Sequence, residues 1–176
     1  MKAKNILITG PPGCGKSTLM EKIVRQIDRP VTGFFTREWR EKGRRVGFSI
    51  VTLAGQAGTL SHESHRGPRV GRYGVHLDDL EKIAVPSMIP THQGEIVIID
   101  EIGKMECLSP LFQETLVRVL DSEHPVIGSI ALKGDAFMEK IKRRRDVRLV
   151  AVSAKNRDRL LFSLLEEIRE MISGVR

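Results

Sequence analysis

A glycine-rich run near the start of the chain has the residue types and spacing of a phosphate-binding loop. Residues 10–17 have the sequence GPPGCGKS and match the pattern G-x-x-x-x-G-K-[ST] without a gap. In such a loop the glycines let backbone N–H groups approach phosphate oxygens, and the following helix directs its positive end at the anion. The predicted nucleotide contacts in this loop are Gly10, Pro11, Pro12, Gly13, Cys14, Gly15, Lys16, Ser17 and Thr18.

A second group of candidate residues follows an apolar run. Residues 96–99 have the sequence IVII and are followed directly by Asp100 and Glu101. A carboxylate at the end of a buried strand can hold Mg²⁺ beside a bound triphosphate. A carboxylate one residue further on is placed to orient and deprotonate an attacking water. We therefore predict Ser17 and Asp100 as metal residues and Lys16 and Glu101 as catalytic residues; the alternative for Glu101 is a solvated loop carboxylate.

Strand-like and helix-like patterns alternate around these residues. Such alternation is typical of a mostly parallel sheet covered by helices on both faces, which is a three-layer α/β sandwich. We expect a single domain over residues 1–176. Strands are predicted at residues 6–8, 96–99, 126–131 and 147–152, and helices at residues 19–27, 76–84, 134–144 and 161–172, with one more beginning at Ser109-Pro110.

Two β-rich runs interrupt this alternation early in the chain. Residues 31–36 form the first, and Val46, Phe48 and Ile50 alternate with smaller residues in the second. A turn at residues 41–43 predicts that they form an inserted antiparallel hairpin. The glycine-punctuated segment 54–73 is predicted to be a long loop, either functional or a mobile surface loop. Candidates for an arginine finger are Arg66, Arg69, Arg72 and Arg157.

Composition indicates a soluble globular protein, since 40% of the 176 residues are apolar and 29% are charged. The net charge of +7 suits either nucleotide phosphates or a nucleic-acid backbone. The densest basic run, at residues 142–145, falls at a predicted helix end, so we do not expect a nucleic-acid partner. Cys14 and Cys107 are far apart, and no apolar stretch reaches membrane-spanning length. We therefore expect a cytoplasmic monomer without a membrane contact.

The start of the last predicted helix provides two further candidates. Asn156 and Arg157 follow a strand end, on the same edge of the predicted sheet as the phosphate-binding loop. Ligands of open α/β sheets bind at that edge. Both residues are therefore predicted to contact the nucleotide. The alternative for Asn156 is a helix cap.

A guanine-specific switch protein is a competing interpretation. Residues 100–103 (DEIG) fit the D-x-x-G motif of switch GTPases, and residues 133–135 (KGD) and 153–155 (SAK) resemble their guanine-reading motifs. However, Leu132 stands where that class has Asn or Thr. The interval between Gly103 and Lys133 also has room for only one helix and one strand, whereas the switch GTPase layout needs an additional pair.

Taken together, these motifs resemble the nucleoside-triphosphatase family first known from thermophiles, which includes the vertebrate cancer-related nucleoside-triphosphatase. The stretch DEIGKME at residues 100–106 carries most of the resemblance, because a phosphate-binding loop alone occurs in many families. The other matching stretches are residues 10–18, 32–36 (TGFFT), 70–75 (VGRYGV) and 156–158 (NRD).

The resemblance implies a RecA-like P-loop domain that hydrolyses several nucleoside triphosphates to diphosphate and phosphate with Mg²⁺. It also implies that the Arg72 region and Lys104 lie near the nucleotide. The expected activity is Mg²⁺-dependent hydrolysis of ATP, GTP, CTP and UTP. The alternatives left open are the GTP-binding switch and a small nucleotide or nucleoside kinase, in which Glu101 would activate an acceptor hydroxyl.

Overall fold

A computed structural model describes residues 3–173, and its framework is one nine-stranded sheet flanked by helices. The strands are β1 (Asn5–Thr9), β2 (Val31–Glu41), β3 (Arg44–Thr52), β4 (Ala57–His62), β5 (Arg69–Val70), β6 (Tyr73–Val75), β7 (Ile96–Ile102), β8 (Val126–Ile130) and β9 (Val147–Ala151). The α-helices are α1 (Lys16–Val24), α2 (Leu77–Asp79), α3 (Val85–Ser87), α4 (Pro110–Asp121), α5 (Ala136–Lys142) and α6 (Arg157–Ser173). A π-helical turn, Leu80–Ala84, joins α2 to α3, and a 3₁₀ turn spans Glu106–Leu108.

The sheet has a parallel half and an antiparallel half. Its strand order is β5-β6-β4-β3-β2-β7-β8-β1-β9. Neighbouring strands run parallel from β2 to β9, and all pairs from β5 to β2 are antiparallel. The expectation of a mostly parallel core with an antiparallel insertion is therefore confirmed. Because β1 and β7 are parallel and separated only by β8, the loops that follow them lie at the same edge of the sheet.

Helices cover the sheet on two faces. Buried side chains of α1 and α6, such as Leu19 and Leu164, form one hydrophobic cluster with Ile6 and Ile98 of the sheet. The second cluster lies on the opposite face, where buried residues of α4, α5 and the helical segment 77–87 pack against the strands. The parallel strands β1, β7 and β8 are buried almost throughout, which explains their continuous apolar runs. The predicted three-layer arrangement is thus confirmed.

The antiparallel half is larger than predicted. The hairpin extends to Glu41 and Arg44, so the turn at Lys42 and Gly43 is very short. The prediction of a long loop at residues 54–73 is wrong, because this segment contains β4 and β5 and reaches the start of β6. β4 pairs with β3, β6 pairs with β4, and β5 pairs with β6, so each strand of this segment is held by the one before it in the sheet. Leu60 of β4 is buried in the second hydrophobic cluster, although β4 as a whole lacks a clear alternation of apolar and polar residues.

Three local features bear on other predictions. Ser109 caps α4 by accepting the Phe112 N–H at 3.1 Å, as the Ser-Pro pair predicts. The basic run at residues 142–145 follows α5 and is partly paired, since Arg144 contacts both Asp121 and Asp146. That placement supports the helix-end interpretation. No helix within residues 3–173 combines the length and apolar character that crossing a bilayer requires.

Candidate active site

The phosphate-binding loop follows the carboxyl end of β1 and leads directly into α1. Both flanking elements are packed into the core: every residue of β1 is buried, and α1 is anchored by the buried side chains of Leu19, Met20 and Ile23. Cys14 is also buried and belongs to the same hydrophobic cluster, which supports its interpretation as a packing residue. Residues 11–13, 17 and 18 are exposed. The loop is therefore exposed to solvent, whereas the strand and the helix that flank it are anchored in the core.

The start of α1 presents backbone donors to this opening. The first hydrogen bond of the helix joins the Leu19 N–H to the Gly15 carbonyl at 3.0 Å. The N–H groups of residues 16–18 consequently have no acceptor within the helix and are available to an anion. Gly15 adopts a φ of 95°, and a side chain there would begin 2.5 Å from Nη1 of Arg157. The positive φ therefore favours glycine at this position, and a side chain there would also displace Arg157.

The side chain of Lys16 folds back onto the phosphate-binding loop. Its Nζ donates to the carbonyl oxygens of Gly10 at 3.0 Å and Pro11 at 3.2 Å. These contacts hold the ammonium group against the phosphate-binding loop. A triphosphate oxygen is a better partner for a cation than a neutral carbonyl, because the resulting hydrogen bond joins two charged groups.

Asp100 is held at the carboxyl end of β7, where it pairs with Phe35 of β2. Its side chain is 1% exposed. Oδ1 accepts a hydrogen bond from the Ser129 hydroxyl of β8. Oδ2 is buried and has no hydrogen-bond partner among the residues that the structure describes. Half of a buried carboxylate is thus left unsatisfied, which is costly unless another group binds there.

The electrostatic environment of Asp100 includes the phosphate-binding loop. Burial raises the pKa of this carboxyl group, and the hydroxyls of Ser129 and Ser17 and the charges of Arg37 and Lys16 oppose that rise. Ser17 of α1 therefore faces Asp100 across the sheet edge. A serine hydroxyl and a carboxylate oxygen are suitable ligands for Mg²⁺, which prefers oxygen and retains several waters. The unsatisfied Oδ2 shows that these residues fit the ion.

Glu101 lies beside this pair and is partly buried. Burial and the neighbouring charge of Asp100 raise the pKa of Glu101, whereas the charge of Lys16 lowers it. Lys16, Asp100 and Glu101 thus act on one another, as predicted for a single site. A raised pKa makes the Glu101 carboxylate a stronger base than an exposed glutamate.

Asn156 and Arg157 lie at the same edge but make different contacts. Asn156 accepts the Ser153 N–H with Oδ1 at 2.8 Å, and its Nδ2 donates to the Ala151 carbonyl at 3.1 Å. Both ends of the amide therefore stabilise the turn into α6, which favours the capping alternative, and contact with a nucleotide stays a prediction. Arg157 packs against Gly15, and its Nε is buried without a hydrogen-bond partner in the described region.

The other arginine candidates lie elsewhere. Arg72 is located between β5 and β6 at the outer edge of the antiparallel half, where it donates to the Arg45 carbonyl and the Tyr73 hydroxyl. Arg66 and Arg69 belong to the same outer region. The structure therefore does not bring the Arg72 region to the phosphate-binding loop, contrary to expectation. Lys104 is exposed, in the turn that follows β7.

Sequence reasoning missed three residues near the site. Ser129 binds Asp100, and Arg37, which forms an ion pair with Glu21 of α1 at 3.0 Å, adds a positive charge next to Asp100. Glu106 is buried close to Glu101. Ser129 has a local sequence signal, since it is a polar residue within the apolar run of β8, and Glu106 belongs to the DEIGKME stretch.

The guanine-reading interpretation is weakened by the fold. Asp135, the acidic residue of the KGD sequence, caps α5 by accepting the Met138 N–H at 2.9 Å. Between Gly103 and Lys133 the chain forms α4 and β8, with only a 3₁₀ turn in addition. The additional strand–helix pair of a switch GTPase is therefore absent from this fully described interval.

Comparison with known proteins gives consistent matches along the chain. A family model described as NTPase matches residues 5–165. The nucleoside-triphosphatase THEP1 of Thermotoga sp. (strain RQ2) is 46% identical over 166 residues, which cover 93% of this chain and 95% of that protein. The cancer-related nucleoside-triphosphatase of Homo sapiens is 39% identical over 177 residues, which cover 90% of this chain and 93% of that protein.

Two solved structures share the fold. The crystal structure of THEP1 from the hyperthermophile Aquifex aeolicus matches with a TM-score of 0.83 and 32% identity, covering 93% of this chain and 98% of that chain. The solution structure of a human cancer-related nucleoside triphosphatase matches with a TM-score of 0.81 and 36% identity, covering 96% and 98%. The resemblance inferred from the motifs is confirmed, and the chain belongs to the NTPase family.

Proposed function

We propose that this protein hydrolyses nucleoside triphosphates, including ATP, GTP, CTP and UTP, to nucleoside diphosphate and phosphate in a Mg²⁺-dependent reaction. The observation that carries the proposal is the position of Asp100 and Glu101, which face Lys16 and Ser17 across one edge of the sheet. Family membership and the names of the relatives support the reaction class.

Binding of the triphosphate is assigned to the loop at residues 10–18. The free N–H groups at the start of α1 would donate to phosphate oxygens. Lys16 would exchange its two carbonyl acceptors for β- and γ-phosphate oxygens. Ser17 and Asp100 would hold Mg²⁺, which when bound neutralises charge on the same oxygens. Ser129 would keep Asp100 oriented towards the ion.

The hydrolytic step is assigned to Glu101. Its carboxylate accepts a proton from water while the water oxygen forms a bond to the γ-phosphorus. The bond between that phosphorus and the bridging oxygen breaks, and the diphosphate retains the bridging oxygen. Lys16 stabilises the negative charge that develops on this oxygen, because a fixed cation needs no reorganisation during the reaction.

Base selectivity is proposed to be low. Asp135 serves as a helix cap, and both ends of the Asn156 side-chain amide are hydrogen-bonded to the backbone. Arg157 approaches the loop at Gly15 and is therefore placed to act on phosphates, which all substrates share. These contacts support a broad nucleoside triphosphatase over a guanine-specific switch.

A cytoplasmic location and a monomeric state complete the proposal. Cys14 and Cys107 are free and buried, which is typical of proteins from reducing compartments. A chain of 176 residues is long enough to bury its own core, which permits a monomer. No nucleic-acid partner is proposed, because residues of the basic run such as Lys142 and Arg144 pair with acidic neighbours.

The test is phosphate release from the four triphosphates with and without Mg²⁺, for wild type and Lys16→Ala. We expect release from all four, loss of release without Mg²⁺, and at least about a hundredfold slower release by Lys16→Ala. Lys22→Ala, an exposed lysine on the same helix, is the matched control. Turnover of GTP alone would favour the switch, and release that requires an added nucleoside or nucleotide acceptor would favour a kinase.

A further inference from the structure

Glu106 is a buried carboxyl group to which the hydrolytic mechanism assigns no role. Its side chain is 4% exposed and begins the 3₁₀ turn after β7. Within residues 3–173 it forms no ion pair, and the charged groups that act on it are the carboxyls of Glu101 and Asp100. An acidic residue buried without a cation is unusual and needs a structural or functional reason.

The hydrogen bonds of Glu106 hold the turn that carries Glu101. Oε2 of Glu106 accepts the Gly103 N–H at 3.1 Å. The Gly103 carbonyl in turn accepts the Cys107 N–H at 3.0 Å, and the Ile102 carbonyl accepts the Ala131 N–H at 3.1 Å. Hydrogen bonds therefore fix the backbone at two consecutive residues between Glu101 and Glu106, namely Ile102 and Gly103.

The carboxyl groups of Glu101 and Glu106 both lie close to Gly103. A side chain at this position would begin 2.8 Å from Oε1 of Glu101 and 2.9 Å from Oε2 of Glu106. Both carboxyl groups thus lie against the same backbone atom, and a side chain at position 103 would have to displace them. Any shift of the Glu106 carboxyl group would change the space available to that of Glu101.

The charge state of Glu106 follows from this arrangement. Burial, followed by the charge of Glu101, raises the pKa of Glu106 to about 8. The charge of Asp100 also raises it, and burial raises the pKa of the neighbouring Cys107 thiol to about 12. At neutral pH Glu106 is therefore a neutral acid beside the carboxyl group of Glu101. A neutral acid can accept a backbone N–H and also donate its own proton to a nearby acceptor.

We propose that Glu106 is a positioning residue for hydrolysis: it holds the Gly103 turn and thereby orients the Glu101 carboxylate towards the attacking water. This inference rests on the proposed role of Glu101 as the base. It deepens that role, because it explains how a partly buried carboxylate is kept in one orientation without a cation of its own. Glu106 itself does not contact the nucleotide.

The test compares three variants of Glu106 by kcat, KM and nucleotide affinity. Glu106→Gln keeps both an acceptor and a donor without a charge, so we expect it to retain at least about a third of the wild-type kcat. Glu106→Leu removes both the acceptor and the donor. We expect its kcat to fall by at least about tenfold while KM stays within about twofold of wild type, because a misoriented Glu101 carboxylate mainly affects the chemical step. Glu106→Asp retracts the carboxyl group and is expected to lower kcat in the same way.

Glu95 provides a matched control. It is 7% exposed and also accepts backbone N–H groups, from Thr91 and His92, but it lies before β7 at the opposite end of the strand. We expect Glu95→Leu to lower the melting temperature without lowering kcat. Such a result shows that the loss of a buried, hydrogen-bonded glutamate does not by itself impair turnover.

Two outcomes would overturn the inference. One is that folded Glu106→Leu, or Glu106→Asp where the leucine variant does not fold, keeps kcat within about twofold of wild type. The other is that Glu106→Gln is as impaired as Glu106→Leu, since a neutral hydrogen-bonding group would then be insufficient. Wild type and Glu101→Gln are measured in the same assay. If Glu101→Gln is fully active, the base assignment has failed first, and the positioning role fails with it.

Discussion

Ser129 and Asp100 are joined by a hydrogen bond between neighbouring strands, in which the Ser129 hydroxyl donates to Oδ1 of the Asp100 carboxylate. Both side chains are buried. The bond fixes the carboxylate so that Oδ2, which has no partner in the described part of the chain, remains free beside Ser17. Hydrogen bonds of this kind orient metal ligands and are a large part of metal affinity.

Replacing Ser129 by alanine is therefore expected to weaken Mg²⁺ binding. We expect the Mg²⁺ concentration for half-maximal phosphate release to rise about tenfold, with kcat at saturating Mg²⁺ within about threefold of wild type. A magnesium titration of the steady-state rate measures this. Ser61→Ala is the matched control, because Ser61 is equally buried but lies on β4 with an unpartnered hydroxyl. An unchanged magnesium requirement in Ser129→Ala would show that this hydrogen bond does not support the metal site.

Removal of the Arg157 guanidinium should affect all substrates alike. The group packs against Gly15 of the phosphate-binding loop, so its loss acts on the part of the nucleotide that ATP, GTP, CTP and UTP share. We expect Arg157→Ala to raise KM by about five- to tenfold for each, as the loss of a charge-assisted contact does. Arg159→Ala is the control, because Arg159 is exposed and lies two residues further along α6, on another side of the helix. An increase for one base only would instead assign Arg157 to base recognition.

The buried Glu106 should make folding stability depend on pH. Its pKa is about 8 in the folded protein, above its ordinary value of 4.5, so the folded state binds more protons between these values. Its contribution is therefore fully present below about pH 4.5 and is lost as the pH rises through 8. Between pH 5 and pH 9 we expect the melting temperature of wild type to fall by about 5 °C more than that of Glu106→Gln. Parallel melting curves of the two proteins would contradict a buried, neutral Glu106.

Much of the site could be predicted from sequence because its parts are local. The residues of the phosphate-binding loop are contiguous, and a strand and a helix adjoin it directly. Asp100 and Glu101 follow an apolar run that has the pattern of a strand covered on both faces. Parallel strands place their carboxyl ends at one edge, so the proximity of the two motifs followed from the alternating pattern alone.

The antiparallel half was not predictable in the same way. β5 has only two residues and β6 three, too few for an alternating pattern to appear. β4 carries Gly58 and Thr59 before its one large apolar residue, Leu60. β4 is a strand because the edge of β3 is available for pairing, and β6 and β5 are then added in turn beyond β4. That edge exists only once the hairpin has folded.

The supporting residues of the site depend on contacts between distant positions. Ser129 reaches Asp100 from the next strand of the sheet, and Arg37 approaches it from β2. Glu106 is visible in the sequence as part of the DEIGKME stretch, but its burial and its closeness to Glu101 depend on the turn at Gly103. Local patterns thus identify the reacting groups, whereas the groups that orient them require the packed fold.

Single-turnover phosphate release by Glu101→Gln, with nucleotide affinity measured in parallel, tests the central claim most directly. The glutamine keeps the size of the side chain but cannot accept a proton from water at neutral pH. We predict release from Mg²⁺-ATP at least about a hundredfold slower than wild type, with affinity within about threefold. Release within about fivefold of wild type, at unchanged affinity, would contradict the assignment of Glu101 as the general base.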